Sequence, residues 1–428
     1  MSGAPADRRE LDLVVLGATG FTGRQAAAYL AAHAPPELRW ALAGRDGARL
    51  AQIRAGMGPD HAERELVVVD TAELPALDRL AARTRVLLTT VGPFAQHGSG
   101  VLAACARHGT HYTDITGETP WVRRMIDAHH DQARASGARI VPFCGFDSVP
   151  SDLGAFLLSR FIRSRWDQPT GAVRAVFRMR GGINGGTVAS ALGMLEGGDL
   201  RALTDPVLLN PADARPARGG ADSRDPAAPR FDPDLGGWTA PFIMAPVNSR
   251  VVRRSAALLA ARGHGYGPDF SWQETLWTGR GLRGRARATA ITAGLGATMS
   301  LGTQAWARSL VRRVAPAPGE GPTEAAMDRG FFRVDLVGEA ADGQRARGHI
   351  EGQGDPGNRC TVRMLCEAAL CLAGDPGELP EGEGGVLTPA VALGQPYLER
   401  LRRAGMVFQA EVFQAEVFQA EVFQGEPV

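Results

Sequence analysis

The sequence predicts an α/β protein: a doubly wound, mainly parallel sheet at the N-terminus and a second α/β (α+β) domain after it. Three observations carry this. Short apolar runs of strand length alternate with helical segments through the first 150 residues, the pattern of a parallel sheet flanked by helices. The first run breaks at a glycine-rich turn that leads directly into an alanine-rich helix. Past Pro150 the alternation gives way to isolated strands, a hairpin and an irregular Pro-, Ala-, Arg- and Asp-rich stretch.

Leu11–Leu16 (LDLVVL) reads as a buried strand. It ends at Gly17-Ala18-Thr19-Gly20-Phe21-Thr22-Gly23, and a helix with Ala26 and Leu30 on its apolar face follows. A strand, a glycine turn and a helix in that order form a phosphate site: the glycines let the backbone turn sharply and approach a pyrophosphate, and the unpaired N–H groups of the helix N-terminus face it. The spacing is GxxGxxG and not GxGxxG, so the flanking strand and helix carry the reading. Gly17, Thr19, Gly20, Phe21, Thr22 and Gly23 are therefore candidate cofactor-binding residues in a dinucleotide, or Rossmann, domain.

The second strand, Arg39–Ala43, runs into Gly44-Arg45-Asp46. An NAD site places an acid here for the ribose 2′-hydroxyl. Arginine clamps a 2′-phosphate instead, so Arg45 predicts NADPH as the cofactor. A solvated Arg45, or one paired with Asp46, is the alternative.

Leu66–Val69 reads as another buried strand ending at Asp70, a further cofactor-side candidate, with a helix over Leu74–Ala82. Val86–Val91 opens into Gly92-Pro93-Phe94, a rigid turn at the edge where the nicotinamide half of the cofactor belongs, with Phe94 placed to cover or flank the ring. A helix over Val101–His108, a strand over His111–Ile115, a helix over Val122–Ser136 and a strand over Arg139–Phe143 complete the alternation. Ligands of such sheets sit outside the carboxyl ends of the strands. The Gly17–Gly23 turn, the Gly92–Phe94 loop, Gly117-Glu118 and Gly145-Phe146-Asp147 all fall there and should converge on one pocket. Within it Asp147, Ser148 and Tyr112 are the candidate catalytic groups. Ser148 or Ser151 would equally serve to cap the following helix, with Pro150 in its first turn, and Tyr112 would equally be an ordinary strand residue.

The motifs GATGFTG, AGR, TTVGPFAQHG, HYTDITGE and VPFCGFDSVPSDLG, in that order, resemble the saccharopine dehydrogenase-like oxidoreductases. GQGDPGNRCTVRMLCEAALCLA and GGVLTPAVALG are similar to the bacterial branch of trans-acting enoyl reductases. The likeness runs from about Leu11 to Met406. It implies a Rossmann domain, a second α/β domain that often mediates dimerisation, and NAD(P)H-dependent reduction of enoyl intermediates on polyketide-derived lipids, carried on a synthase. A saccharopine-type amino-acid or imine dehydrogenase, and a non-catalytic NADP-binding module docking on a lipid synthase or membrane, are the competing readings.

Composition narrows the chemistry. All 47 basic residues are arginine, which excludes a Walker lysine, a lysine Schiff base and a Tyr-Lys dehydrogenase pair. A net charge of +1 argues against nucleic acid as partner. Cys105, Cys144, Cys360, Cys366 and Cys371 show no metal spacing and fit free thiols in a reducing cytosol; no metal site is expected. The N-terminus has no apolar signal segment, so a cytoplasmic protein is expected, with peripheral contact at the inner face of a membrane as an option.

In the second half, Arg174–Arg180 reads as a strand, and Gly181–Thr187 as a turn before a helix. Asn210–Asp234 has no apolar period and reads as a mobile loop, after which Phe242–Val252 resumes order. Ala288–Ala307 runs 20 residues without a charge but is rich in threonine and glycine, which suits a packing or interfacial helix better than a membrane span. Phe331–Val337 and Ala346–Glu351 read as a hairpin around Asp342-Gly343, and Cys360–Leu372 as an internally packed helix. Domains are expected at 1–150, 151–395 and 396–428, the last ending in VFQAE repeats from Val407. A period of five gives no constant apolar face on a helix or a strand, so the repeat is expected to fray and to be dispensable.

Overall fold

The structure is a computed structural model describing residues 9–182, 190, 193, 204–214, 224–302, 304, 309, 313 and 320–414. The Ile183–Thr187 part of the expected glycine turn and the VFQAE copies beyond residue 414 lie outside these residues.

The first sheet is built as expected. In chain order come β1 (Leu11–Leu16), α1 (Phe21–His33), β2 (Trp40–Gly44), α2 (Gly47–Gly56), β3 (Glu65–Val68), α3 (Leu74–Ala82), β4 (Thr84–Thr89), α4 (Phe94–His97), α5 (Ser99–His108), β5 (His111–Thr113), α6 (Thr119–Ser136) and β6 (Arg139–Val141). The strands are all parallel. Their order, β6-β5-β4-β1-β2-β3, makes the chain reverse direction between β1 and β4, the position where doubly wound sheets bind nucleotides. The LVVV run is not a buried strand. β3 is the sheet edge and Val68 is 65% exposed, because among the described residues no strand packs beyond it.

The second sheet follows α7 (Val149–Trp166). It contains β7 (Thr170–Arg180), β8 (Arg230–Asp232), β9 (Gly237–Pro241), β10 (Ser271–Gly279), β11 (Phe331–Ala340), β12 (Arg345–Gln353) and β14 (Val407–Val412), with α8 (Ala245–Ala261), α9 (Gly281–Gly302) and α10 (Glu324–Asp328) between strands. Its order is β14-β12-β11-β7-β10-β9-β8, antiparallel except for β7–β10. The expected hairpin is present as β11–β12. The expected mobile loop over Asn210–Asp234 is in part structured: β8 pairs with β9, and Asp225 bonds Arg250 and Ser249 of α8.

Two expectations about domain limits need correction. The chain returns to the first sheet near its end: α11 (Thr361–Ala373) packs on α1 and β4, and β13 (Gly385–Val386) adds to β6 in parallel. The first domain is therefore discontinuous, and α12 (Pro389–Ala392) and α13 (Gly394–Arg403) continue from it. Buried Tyr397 of α13 donates to Met364 O of α11 at 2.8 Å. The second correction concerns the tail. The first VFQAE copy is an edge strand, with Phe408 opposite Ile350 and 1% exposed. Backbone pairing to β12 needs no constant apolar face, and the odd period simply sends Phe408 to one face of the sheet and Phe413 to the other, beneath Arg345 at 4.2 Å.

One continuous core joins the sheets. Leu13, Val15 and Leu88 of the first meet Leu153 and Leu158 of α7, Leu365 of α11, and Phe332, Leu336 and Ile350 of the second. The opposite face of the first sheet buries Val14, Leu16, Leu87, Tyr112 and Trp121 under α3, α5 and α6. The architecture leaves the carboxyl ends of β1–β6 facing the base of the second sheet.

Candidate active site

Gly17 has φ +87°, a left-handed conformation that suits glycine, and a Cβ there would lie 2.7 Å from Val91. A Cβ on Gly23 would lie 2.0 Å from Gly17 O, so the first turn of α1 presses directly on the turn that precedes it. Gly20 N donates to Gly17 O at 3.0 Å, and Thr90 Oγ1 donates to the same oxygen at 3.2 Å. The first-turn N–H groups of Phe21, Thr22 and Gly23 have no intrahelical acceptors and point out of a partly exposed helix end with Gly20 at its rim. This is an anion cradle of the dinucleotide type.

Arg45 stands exposed at the end of β2 with no ion pair among the described residues. Asp46 does not hold it: its carboxylate caps α2 through Arg49 N at 3.0 Å. Asp70 lies beside it, since Val69 N donates to Gly44 O, and Asp70 Oδ1 is occupied by Ala72 N at 2.9 Å. The site therefore offers a guanidinium without an ion pair among the described residues at the end of β2, a fit for a 2′-phosphate, while Asp46 and Asp70 each hold a local turn or cap through one carboxylate oxygen.

Glu118 organises the next pair of loops. It is 3% exposed, and its two carboxylate oxygens accept the N–H groups of Phe94 at 2.9 Å and Ala95 at 2.8 Å. Ser190 Oγ, from the second domain, donates to the same carboxylate at 2.8 Å. Gly92 is exposed at the rim, with Pro93 after it. The Phe94 ring does not lie over the cleft as expected from sequence: it is 4% exposed, 5.8 Å from the Trp121 ring, because apolar burial outweighs any contact at the surface.

Tyr112 is not placed to give a proton to a ligand. Its ring is fully buried on the far face of the sheet and its hydroxyl donates to Asp114 Oδ2 at 2.7 Å. Burial, with the neighbouring carboxylate, pushes its pKa well above the usual phenol range. Asp114 also accepts N–H bonds from Thr116 at 3.0 Å and Phe143 at 3.2 Å, so the pair ties the end of β5 to the end of β6.

Asp147 is different. It is partly exposed at the carboxyl edge and has no hydrogen bond or ion pair among the described residues. Desolvation by the surrounding loops lifts its pKa to about 6. Ser148 occupies the N-cap of α7 without bonding the helix; its hydroxyl is fully buried and has no partner among the described residues.

The loop joining β12 to α11 roofs this edge, and its part was not read from the sequence. Asp355 is fully buried and accepts from Gly182 N and, at 2.7 Å, from Asn358 Nδ2. Thr361 Oγ1 accepts from Phe146 N at 3.1 Å, and Arg359 reaches Gln25 of α1 at 3.3 Å. Gly321 lies against the Phe21 ring. The second domain thus touches the phosphate turn and Glu118, and the start of α11 holds the Asp147 loop. The only signal for this was the Gly-Asp-Pro-Gly turn at 354–357. No group of three or more metal-type ligands occurs among the described residues.

A glycine cradle on a helix end, an unpaired arginine beside it and a carboxyl edge covered by a second domain define an NAD(P)-dependent oxidoreductase of the two-domain α/β class. Residues 13–141 match the saccharopine dehydrogenase NADP binding domain. The chain is 40% identical over 417 residues to a Mycobacterium tuberculosis protein provisionally named trans-acting enoyl reductase, spanning 94% of this chain and 98% of that one. It is 38% identical over 419 residues to the trans-acting enoyl reductase of Mycobacterium leprae, with the same coverage. Saccharopine dehydrogenase (L-Glu forming) from Saccharomyces cerevisiae shares the fold, with TM-score 0.50 at 12% identity over 94% of this chain and 99% of that chain. The protein belongs to the saccharopine dehydrogenase-like oxidoreductases, in the branch that holds the mycobacterial trans-acting enoyl reductases.

Proposed function

We propose that the chain reduces the carbon–carbon double bond of an α,β-unsaturated acyl thioester, the acyl group being carried on a separate lipid or polyketide synthase, with NADPH preferred over NADH. The observation that carries the reading is the Asp147 carboxyl, unpartnered among the described residues, in the loop that Thr361 of α11 holds at the carboxyl edge of the first sheet. The names of the mycobacterial relatives supply the substrate class.

NADPH, when bound, supplies the hydride that goes to the β-carbon. The N–H groups of Phe21, Thr22 and Gly23 would hold its pyrophosphate, and Arg45 would hold its 2′-phosphate. Glu118 fixes the backbone from Gly92 to Ala95 and so the wall beside the nicotinamide half. The negative charge that develops on the thioester oxygen needs a donor, and the α-carbon needs a proton. Asp147, whose carboxyl burial raises to about 6 and so leaves half-protonated near that pH, is the group assigned to deliver that proton; Ser148 Oγ lies next to it in the chain with no hydrogen-bond partner among the described residues.

The test is oxidation of NADPH by the purified chain with a crotonyl thioester, followed by the loss of nicotinamide absorbance. Saturable turnover yielding the butyryl thioester supports the reading. Reduction of an imine formed from an amino acid and an oxo acid, with no action on the thioester, overturns it.

A further inference from the structure

Helix α9 is the feature of the molecule that the reaction leaves unused. It spans Gly281–Gly302, 22 residues and so about 33 Å long. Its first turns are seated: Gly284 packs on the Gly279 backbone, where a Cβ would lie 2.1 Å from the carbonyl oxygen, and Ala288 is fully buried. Beyond Ala288 the helix leaves the body. Ala290, Ala293, Gly294, Gly296, Ala297, Thr298, Ser300 and Leu301 are exposed, and among the described side chains of this stretch only Ile291, Thr292 and Leu295 are partly covered.

A helix without charge on any side is ordinarily buried. Here the uncharged part faces outward, and its threonine hydroxyls are already satisfied within the helix. Thr292 donates to Ala288 O at 2.8 Å and Thr298 to Gly294 O at 2.9 Å. Such back-bonding lets a threonine-bearing face enter an apolar phase without stranding a donor. The start of the helix carries the opposite character. Arg283 and Arg287 lie one turn apart, exposed and without an ion pair among the described residues, beside Leu282, which is 83% exposed. Arg285 sits over the Trp238 ring at 5.3 Å. Cations in the first turns oppose the helix dipole, so local stability does not account for them. From Thr275 to Gly319 the sequence holds seven arginines and no acidic residue, in a chain of net charge +1.

We propose that α9 is a docking element for an anionic lipid surface: the arginines meet the headgroups and the uncharged Ala288–Leu301 segment lies in the interfacial layer, parallel to the membrane. The charge complementarity selects the occupant. Pairing with the same helix of a second copy would bring arginine-rich ends or bare Ala/Gly faces together with no acid to offset them. Insertion across the bilayer is a separate matter, since no helix among the described residues is long and apolar enough to cross a membrane. Exposed uncharged surface next to unpaired basic residues binds such a layer by apolar contact plus attraction to anionic lipid.

The experiment is flotation of the full chain with vesicles of phosphatidylcholine alone and of phosphatidylcholine with phosphatidylglycerol. Two double variants accompany it: Arg283→Gln with Arg287→Gln, and Ala293→Glu with Ala297→Glu. All four positions are exposed, and NADPH binding together with the melting temperature serves as the control for folding. The expected result is flotation with the anionic vesicles and little with the neutral ones. The arginine variant should then partition at least about tenfold less, as expected when each basic residue near the surface contributes roughly fivefold. The glutamate variant should fail to float even at low salt. Absence of flotation with the anionic vesicles overturns the proposal. So does flotation that neither double variant alters, or flotation that the glutamate pair leaves unchanged, because the apolar segment would then play no part. Capture by an acidic carrier domain in place of vesicles would assign the helix to a protein partner and likewise overturn it.

Discussion

The Tyr112 hydroxyl donates to Asp114 Oδ2 at 2.7 Å, and both groups are sealed from solvent. A strand tyrosine that looks from sequence like a proton donor is thereby committed to holding two strand ends together. Asp114 is pushed up to about 7, first by burial and despite three N–H or O–H donors. Tyr112→Phe is expected to cost about 1–3 kcal/mol of stability by leaving Asp114 short of a donor. Turnover at saturating substrate should be near normal. A large loss of kcat in a folded variant would return Tyr112 to the reaction.

Arg45→Ala should weaken NADPH binding selectively, by about 1.5–3 kcal/mol for a charge-assisted contact, while leaving NADH affinity almost unchanged. Titration of both nucleotides by calorimetry checks this. Equal affinities in the unmodified protein would remove the argument, because an exposed guanidinium that contacts no phosphate does not discriminate.

Asp147→Asn should abolish the acid limb of catalysis without harm to the fold. The carboxyl is protonated below about 6 and can give its proton only in that state, so kcat of the unmodified protein should fall as pH rises through that value. The variant should be slow and flat over the same range, with NADPH affinity preserved. Parallel pH profiles in the two proteins would exclude Asp147 as the donor.

Asp152 offers a stability test with the sign fixed in advance. It is fully buried, bonded by Ser255 Oγ and, at 2.8 Å, by Ala390 N, and burial raises its pKa to about 7. The folded state therefore binds the proton more tightly than the unfolded chain, whose carboxyl titrates near 3.8. This contribution is fully present below the unfolded value and is lost as pH rises through about 7, at up to roughly 1.4 kcal/mol per pH unit. Denaturation of Asp152→Asn should show a shallower fall in stability between pH 3.8 and about pH 7, the window those two pKa values set. An unchanged slope would mean that Asp152 is ionised in the native state.

Removal of the chain after Met406 should lower the melting temperature markedly, since it deletes β14 and the buried Phe408. Phe408→Ala alone should cost about 3–5 kcal/mol, the usual range for an aromatic side chain deleted from a core. Scanning calorimetry of the two variants decides it. Unchanged melting would mean the first VFQAE copy is not docked in solution.

The sequence by itself determined the first sheet and the cofactor turn. Leu11–Leu16, the glycines at 17, 20 and 23 and the arginine at 45 are local features: a strand, a turn and a helix in immediate succession specify an anion cradle without help from distant residues. Tertiary structure alone decided the rest. Whether LVVV at 66–69 is buried depends on whether another strand lies beyond it, and none does. Whether Phe94 covers a ligand or the core depends on Trp121, and whether Tyr112 is available depends on Asp114. The contact of Thr361 with Phe146, and the return of β13 to the first sheet, join residues more than two hundred positions apart, and Asp355 of the roof reaches back to Gly182. The VFQAE strand docks through backbone bonds that carry no side-chain period. Periodicity reports what one element would bury on its own; the partner that buries it, and the face left for chemistry, are fixed only when the distant parts of the chain are packed together.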